Sequence, residues 1–221
     1  MVVRWDWTES GERALHETYV GPSFSSVIAR LKLRPTYAIV DDAMSDAAPL
    51  LSSRLVYEGR IFDVTVDRVR LPHGREASLE IVRHDGSVVL IPIDEDGRLL
   101  LVRQYRHAAG RFLWELPAGS LEVGEDPDEA ARRECQEELG LIPGRLERLL
   151  TLYPTPGFCT EVMTFYRASG LRLPGPGDAE AHQDEDESIE VGRFTPEHAA
   201  EMIDRGEIAD LKTVAGLWLL R

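Results

Sequence analysis

Cysteine, positive charge and long apolar runs are all scarce in this 221-residue sequence, and each shortage argues against a class of protein. Two cysteines, Cys135 and Cys159, do not make a disulfide framework and favour a reducing compartment. Lys plus Arg total 25 against 39 Asp plus Glu, and the net charge of −14 disfavours nucleic acids and anionic membranes as partners. Apolar stretches such as Val88–Ile93 are far shorter than the roughly 18 residues of a membrane helix. Charged residues among the first twenty positions argue against a secretory signal peptide, so we expect a cytoplasmic protein.

Three segments of the chain differ in their patterning. Residues 1–53 show weak apolar periodicity, which predicts an N-terminal extension that is partly disordered. Within it, Met44 is a candidate true start that the intact mass of the native protein would test. Residues 54–86 alternate apolar and polar residues around the turn signal Pro72-His73-Gly74, which predicts an N-terminal β subdomain. Residues 87–221 combine strands with helices, as expected for an α+β domain.

Apolar alternation and short apolar runs locate the strands, and the change to a helical period locates the helices. The predicted strands are Leu55–Tyr57, Ile61–Arg70, Ala77–His84, Ser87–Ile93, Arg98–Tyr105, Phe112–Leu116, Leu146–Tyr153, Val162–Ala168 and Ile189–Phe194. The first predicted helix has Asp126 as N-cap, Pro127 at its first position and Gly140 at a left-handed C′ position. Two further helices are predicted at Pro196–Arg205 and Asp210–Leu220.

Three glutamates share one face of this first helix. At about 100° per residue, Glu134, Glu137 and Glu138 fall within an arc of about 100°. Crowded carboxylates repel one another, and divalent cations that prefer hard oxygen ligands, such as Mg²⁺ or Mn²⁺, relieve that repulsion. For Glu-x-x-Glu-Glu alone, a solvated acidic face is the more common explanation, so the surrounding sequence has to decide.

That surrounding sequence resembles a known family. Gly119-Ser-Leu-Glu-Val-Gly-Glu125 is followed by Arg133-Glu-Cys-Gln-Glu-Glu-Leu-Gly-Leu141, which matches the Nudix box G-x5-E-x7-R-E-U-x-E-E-x-G-U at every fixed position. Seven fixed matches have chance odds on the order of 10⁻⁸ at background frequencies of roughly 5–7%. Cys135 is a slightly unusual choice at the apolar position, although a free cysteine behaves as a small hydrophobe. From about Arg54 to Arg221 the chain therefore resembles a Nudix hydrolase, which implies an α/β/α sandwich around a mixed sheet.

The resemblance also implies a metal site and its chemistry. Glu134 and Glu138 would be the principal metal ligands, with Glu137 in the same shell and the carbonyl of Ala118 as a further ligand. Arg133 would orient these carboxylates, and the implied cofactor is Mg²⁺, with Mn²⁺ as a substitute. The metals would neutralise pyrophosphate oxygens and position a water for in-line attack.

A segment beyond the box resembles the ADP-ribose pyrophosphatases. Tyr153–Glu161 reads Tyr-Pro-Thr-Pro-Gly-Phe-Cys-Thr-Glu and is similar to the S-P-G-F-x-x-E segment of that subfamily. Phe158 would present an apolar face beside the ribose or base, and Glu161 is a further substrate-binding candidate. The alternative is an ordinary loop between strands.

Two other stretches are similar to the same subfamily. Gln104-Tyr-Arg106 precedes Trp114-Glu-Leu-Pro-Ala-Gly119, which implies a phosphate contact for Arg106 and a polar substrate contact for Glu115. A surface salt bridge is the alternative for Arg106. The N-terminal strands of that subfamily usually exchange across a homodimer and help to bind adenine, so Tyr57 and Phe62 are candidate stacking residues.

The acidic segment Gln183–Glu187 has the composition of a mobile solvated loop. In ADP-ribose pyrophosphatases, the loop at this place supplies a glutamate that acts as general base or additional metal ligand. Spacing from Ile189 favours Glu185 as the base over Glu187.

We therefore predict a homodimeric enzyme that uses Mg²⁺ to hydrolyse a small nucleotide substrate, ADP-ribose, to AMP and ribose 5-phosphate. Within the enzyme class, the alternatives are GDP-mannose, another nucleotide sugar, or a dinucleotide such as NADH. A non-catalytic module that senses ADP-ribose is the alternative from another class. The intact box and the acidic charge argue against that module.

Overall fold

The structure is a computed structural model and describes residues 48–178 and 189–220. Its strands are β1 Leu50–Tyr57, β2 Asp63–Arg70, β3 Glu76–Arg83, β4 Ser87–Pro92, β5 Leu99–Arg106, β6 Arg111–Glu115, β7 Ala118–Ser120, β8 Ile142–Leu152, β9 Met163–Arg172 and β10 Glu190–Phe194. Its α-helices are α1 Pro127–Leu139, α2 Pro196–Asp204 and α3 Leu211–Trp218. Across these described ranges, no helix has the length and apolar character needed to cross a bilayer.

The strands form three sheets, one of which is mixed. The order β7-β4-β9-β8 contains the parallel pair β4–β9, and the other pairings in that sheet are antiparallel. Antiparallel sheets of order β10-β5-β6 and β1-β2-β3 complete the described fold.

Strand β4 is buried along its whole length because helices cover both of its faces. Val88 and Leu90 pack with residues of α1, whereas Val89 and Ile91 pack with residues of α2 and α3 on the other side. Full burial of each such side chain stabilises the fold by roughly 1.5–3 kcal/mol. The predicted α/β/α sandwich around a mixed sheet, within the α+β class, is confirmed.

Helix α1 begins and ends where its capping residues predict. The side chain of Asp126 accepts a hydrogen bond from the backbone N–H of Asp128 at 2.8 Å, and Pro127 occupies the first turn. Gly140 ends the helix in the left-handed conformation with a φ of 66°. The three-residue strand β7 was not predicted, because its pairing with β4 is a long-range contact with no local pattern.

The N-terminal sheet leaves much apolar surface exposed. Strand β1 begins at Leu50, earlier than the predicted start at Leu55, and every one of its residues is exposed. The other edge of the sheet joins the segment before β9: Val82 N–H donates to the carbonyl of Phe158 at 2.8 Å, and Thr160 N–H donates back to Val82 at 2.9 Å. Residues 1–47, the bulk of the predicted extension, lie outside the described residues.

Candidate active site

Arg133 on α1 lies at the centre of a cluster of carboxylates. Its Nε and Nη2 each donate to an oxygen of Glu125 at 2.9 Å. Its Nη1 donates to Glu134 Oε1 at 2.6 Å and to Glu137 Oε2 at 2.8 Å, and Nη2 also reaches the carbonyl of Ser120 at 3.2 Å. Hydrogen bonding to Arg133 lowers the pKa of Glu125, and the surrounding carboxylates raise the pKa of Arg133. One guanidinium thus joins the loop after β7 to the glutamate face of α1.

The loop backbone approaches this face more closely than a side chain would permit. A Cβ built on Gly119 would overlap the carboxylate of Glu134. One residue earlier, Ala118 N–H donates to Glu138 Oε2 at 3.1 Å. Glu134 and Glu138 are only 7% and 5% exposed, so their carboxylates lie between the helix and the loop rather than in bulk water.

The donor chemistry of this cluster fits a hard divalent cation. Two nearly buried carboxylates one helical turn apart, with the loop backbone against them, are oxygen ligands of the kind that Mg²⁺ prefers. In residues 48–178 and 189–220, no three His, Cys, Asp or Glu side chains converge closely enough to hold an ion. Arg133 contacts both Glu134 and Glu137, so a cation bound there would compete with the guanidinium for carboxylate oxygens.

A second charged cluster lies where β5, β6 and α3 meet. Arg106 donates through Nε and Nη2 to the two oxygens of Glu115 at 2.9 and 2.8 Å. Lys212 Nζ donates to the same Glu115 carboxylate and, at 3.2 Å, to Asp210 Oδ2. Burial raises the pKa of Glu115, but the two cations outweigh burial and hold the pKa below its ordinary value.

Glu115 is buried, although the sequence predicts that it contacts the substrate. Its side chain is 2% exposed and both of its carboxylate oxygens accept hydrogen bonds within the protein. The substrate contact of Glu115 stays a prediction. Arg106 is 41% exposed, and its pKa is raised by hydrogen bonding to Glu115, with a contribution from the charge of Glu138. Arg106 therefore lies within electrostatic range of the glutamate face of α1.

The remaining candidates lie on the side of the N-terminal sheet. Glu161 Oε1 accepts a hydrogen bond from Ser87 Oγ at 2.8 Å, and Ser87 pairs with Ser120 of β7, so Glu161 is tied to the loop beside α1. Phe158 is 54% exposed in the same connecting segment.

The two predicted stacking residues form a pair of their own. Tyr57 and Phe62 pack with ring centroids 5.9 Å apart, and both rings are exposed. Glu185 and Glu187, the candidate bases, lie outside the described residues.

Sequence patterns missed the partners that hold these candidates in place. Lys212, Asp210 and Ser87 carried no motif. A local signal did exist for the start of α3. Asp210 is its N-cap, and its side chain accepts a hydrogen bond from Thr213 N–H, three residues later, at 3.0 Å.

Comparison with known proteins identifies the class. Residues 83–217 match the family described as NUDIX domain, and residues 50–82 match the nucleoside diphosphate sugar hydrolase N-terminal domain. The chain therefore belongs to the NUDIX family, as its box predicted.

Particular relatives narrow the comparison. The chain is 40% identical over 168 residues to the ADP-ribose pyrophosphatase of Mycobacterium tuberculosis (strain ATCC 25618 / H37Rv), covering 76% of this chain and 80% of that protein. It is 32% identical over 171 residues to the ADP-ribose pyrophosphatase of Bacillus subtilis (strain 168), covering 77% and 91%. A crystal structure titled ADP compounds hydrolase superimposes with a TM-score of 0.67 at 23% identity, covering 79% of this chain and 92% of that one, and shares the fold.

Proposed function

We propose that this protein hydrolyses the pyrophosphate bond of ADP-ribose to AMP and ribose 5-phosphate with Mg²⁺ as its cation. The observation that carries the proposal is the Arg133 cluster, in which the loop backbone at Gly119 lies directly against two nearly buried glutamates of α1. Similarity to two ADP-ribose pyrophosphatases over most of their lengths supports ADP-ribose as the substrate.

The residues of the cluster have separate proposed roles. Glu134 and Glu138, with Glu137 and the carbonyl of Ala118, would hold the cation. When bound, a divalent cation neutralises pyrophosphate oxygens and positions the attacking water. Arg133 holds the neighbouring carboxylates in place, because its four hydrogen bonds to carboxylate oxygens fix their positions.

Arg106 is the proposed protein contact to the substrate phosphates. Two of its guanidinium nitrogens bind Glu115, which orients the group and, among the residues that the structure describes, leaves Nη1 for a phosphate oxygen. Half exposure of the side chain supports access for a ligand. A positive group placed there would neutralise charge on the phosphates of the bound substrate.

Glu185 is the proposed general base, with Glu187 the second choice. We further propose that Tyr57, Phe62 and Phe158 contact the base or ribose, and that Glu161 contacts the substrate from the connecting segment. Their support is exposure: the three aromatic rings are open to a ligand, and each can stack on a base.

We also propose a cytoplasmic homodimer in which a second copy covers the N-terminal sheet. Apolar side chains exposed by 38–60% on this sheet and on the connection between β1 and β2 support the proposal, because an uncovered apolar sheet of this kind promotes association. They are Leu50, Leu51, Leu55, Val56, Tyr57, Ile61, Phe62 and Leu79. Light scattering of the purified chain tests it, and a monomer at micromolar concentration would contradict it.

We also propose that the chain divides at residues 53 and 86 into an N-terminal extension, a β subdomain and a hydrolase domain. The meeting of the two family matches at residues 82 and 83 supports a boundary in that region.

A product assay tests the proposed activity. Full-length protein with Mg²⁺ is offered ADP-ribose, GDP-mannose and NADH in parallel, and nucleotide release is followed by chromatography. We expect AMP from ADP-ribose as the preferred reaction, and loss of activity by orders of magnitude in Glu138→Gln. Glu197→Gln, an exposed glutamate in the first turn of α2, is the matched control and should behave as wild type. Faster cleavage of GDP-mannose or NADH would refute the substrate, and an active Glu138→Gln would refute the cation site.

A further inference from the structure

Lys212 is a buried cation that the proposed reaction does not yet use. It lies in the first turn of α3 with 9% exposure, and its Nζ contacts the carboxylates of Glu115 and Asp210. Only two of the 25 basic residues in the sequence are lysines. An ammonium is compact and carries three donors, so it can contact two carboxylates at once.

Glu115 connects Lys212 to Arg106. Its Oε1 accepts from Arg106 Nε, and its Oε2 accepts from both Arg106 Nη2 and Lys212 Nζ. A carboxylate that is 2% exposed has almost no water to stabilise its charge, so its cationic partners must do so.

Helix α3 is fixed against β6, which fixes Lys212 in turn. Leu116 N–H, directly after β6, donates to Thr213 Oγ1 at 2.8 Å. Gly216, one turn further along α3, lies so close to the Leu116 side chain that a Cβ there would overlap it. The ammonium is therefore held by the backbone packing of α3 and not by its own flexible side chain alone.

We propose that Lys212 is a positioning residue for the phosphate contact of Arg106 and acts through Glu115, an inference that rests on the proposed function. Lys212 keeps Glu115 ionised and in place, and Glu115 fixes the plane of the guanidinium so that Nη1 is directed to the substrate. Without the ammonium, the buried carboxylate keeps one cationic partner, and the pair is free to turn as a unit.

A double-mutant cycle tests this route. Lys212→Met keeps the length of the side chain and removes its charge, and we expect KM for ADP-ribose to rise about tenfold while kcat changes little. Arg106→Ala should raise KM at least as much. The double variant should be no worse than Arg106→Ala alone, because the proposal has Lys212 act on the substrate only through Arg106. Lys212→Arg should recover part of the loss. Arg193→Met, which removes an exposed cation paired with Asp94, is the matched control and should keep the wild-type KM.

A lysine signal gives a second readout that depends neither on turnover nor on the folding of Lys212→Met. Since the chain has two lysines, ¹³C-labelled lysine side chains give two Cε signals, which Lys212→Arg assigns. We expect saturating α,β-methylene-ADP-ribose, a non-hydrolysable analogue, to shift the Lys212 signal in wild type and to leave it in place in Arg106→Ala.

The outcomes separate this inference from the function on which it rests. Additive losses in the double variant, or a Lys212 signal unmoved by the analogue in wild type, would overturn the positioning role while ADP-ribose is still cleaved. A wild-type protein that cleaves no ADP-ribose would overturn the proposed function and this inference with it.

Discussion

Replacing Gly119 by alanine tests the candidate active site with a single added methyl group. The backbone at this position does not require glycine, because its φ lies outside the left-handed region. The added Cβ would nevertheless overlap the carboxylate of Glu134, and a flexible side chain moves more readily than backbone. We therefore expect the fold to persist and Glu134 to move away from its 2.6 Å contact with Arg133.

The magnitude follows from the contact that is lost. A hydrogen bond to a charged group is worth about 1.5–3 kcal/mol. If the displaced carboxylate binds the cation of the transition state more weakly by a similar amount, kcat/KM falls roughly 10- to 150-fold at about 1.36 kcal/mol per decade. Arg133 keeps its contacts to Glu125 and Glu137, so the melting temperature should fall by only a few degrees.

The assay is steady-state cleavage of ADP-ribose with Mg²⁺, beside a thermal melt of each protein. Gly175→Ala is the matched control, since its new Cβ would meet only ordinary contacts. If Gly119→Ala cleaves ADP-ribose within twofold of wild type, then Glu134 does not act from the position described here, and the argument from close approach is refuted.

Three further predictions follow from the remaining groups. Glu185→Gln should lower kcat by at least tenfold and more than Glu187→Gln does, and the opposite order in steady-state assays would move the general base. Burial raises the pKa of Cys135 to about 12. Iodoacetamide at pH 8 should therefore label Cys159 and spare Cys135 until the protein unfolds, and peptide mass mapping would report which cysteine is labelled. Early labelling of Cys135 would contradict its burial. The lowered pKa of Glu115 adds stability that is fully present above the unfolded value of about 4.3 and is lost as the pH falls through the folded value, so thermal melts of Glu115→Gln should decline less steeply in acid than wild type.

Local signals determined which parts of the fold were predictable. Helix α1 carries its own boundaries in Asp126, Pro127 and Gly140, and each does in the structure what its chemistry predicts. Strand β8 begins at Ile142, ahead of the predicted start at Leu146. The prediction started too late because Pro143 and Gly144 interrupt the apolar alternation, although the strand continues through both residues. Pairing with β9, rather than local pattern, extends that strand.

Local sequence signals likewise predict one part of the candidate site and not the other. Glutamates four residues apart on one helix are visible in sequence, and so is the arginine beside them. The contact between Glu115 and Lys212 joins positions 97 residues apart, and nothing in either segment signals the other. Burial also distinguishes Glu115 from Arg106, and a motif that contains both residues cannot show which one faces a ligand.

Because Glu115 and Lys212 are far apart in the sequence, they are synthesised at different times. Glu115 leaves the ribosome 97 residues before the ammonium that shares its burial, which corresponds to roughly 5–20 s at about 5–20 residues per second. Until α3 arrives, the end of β6 lacks both the Lys212 contact and the hydroxyl that accepts from Leu116. A nascent chain, or one shortened by a dozen residues at its C-terminus, therefore has every glutamate of the Nudix box but not the support that keeps Arg106 in place.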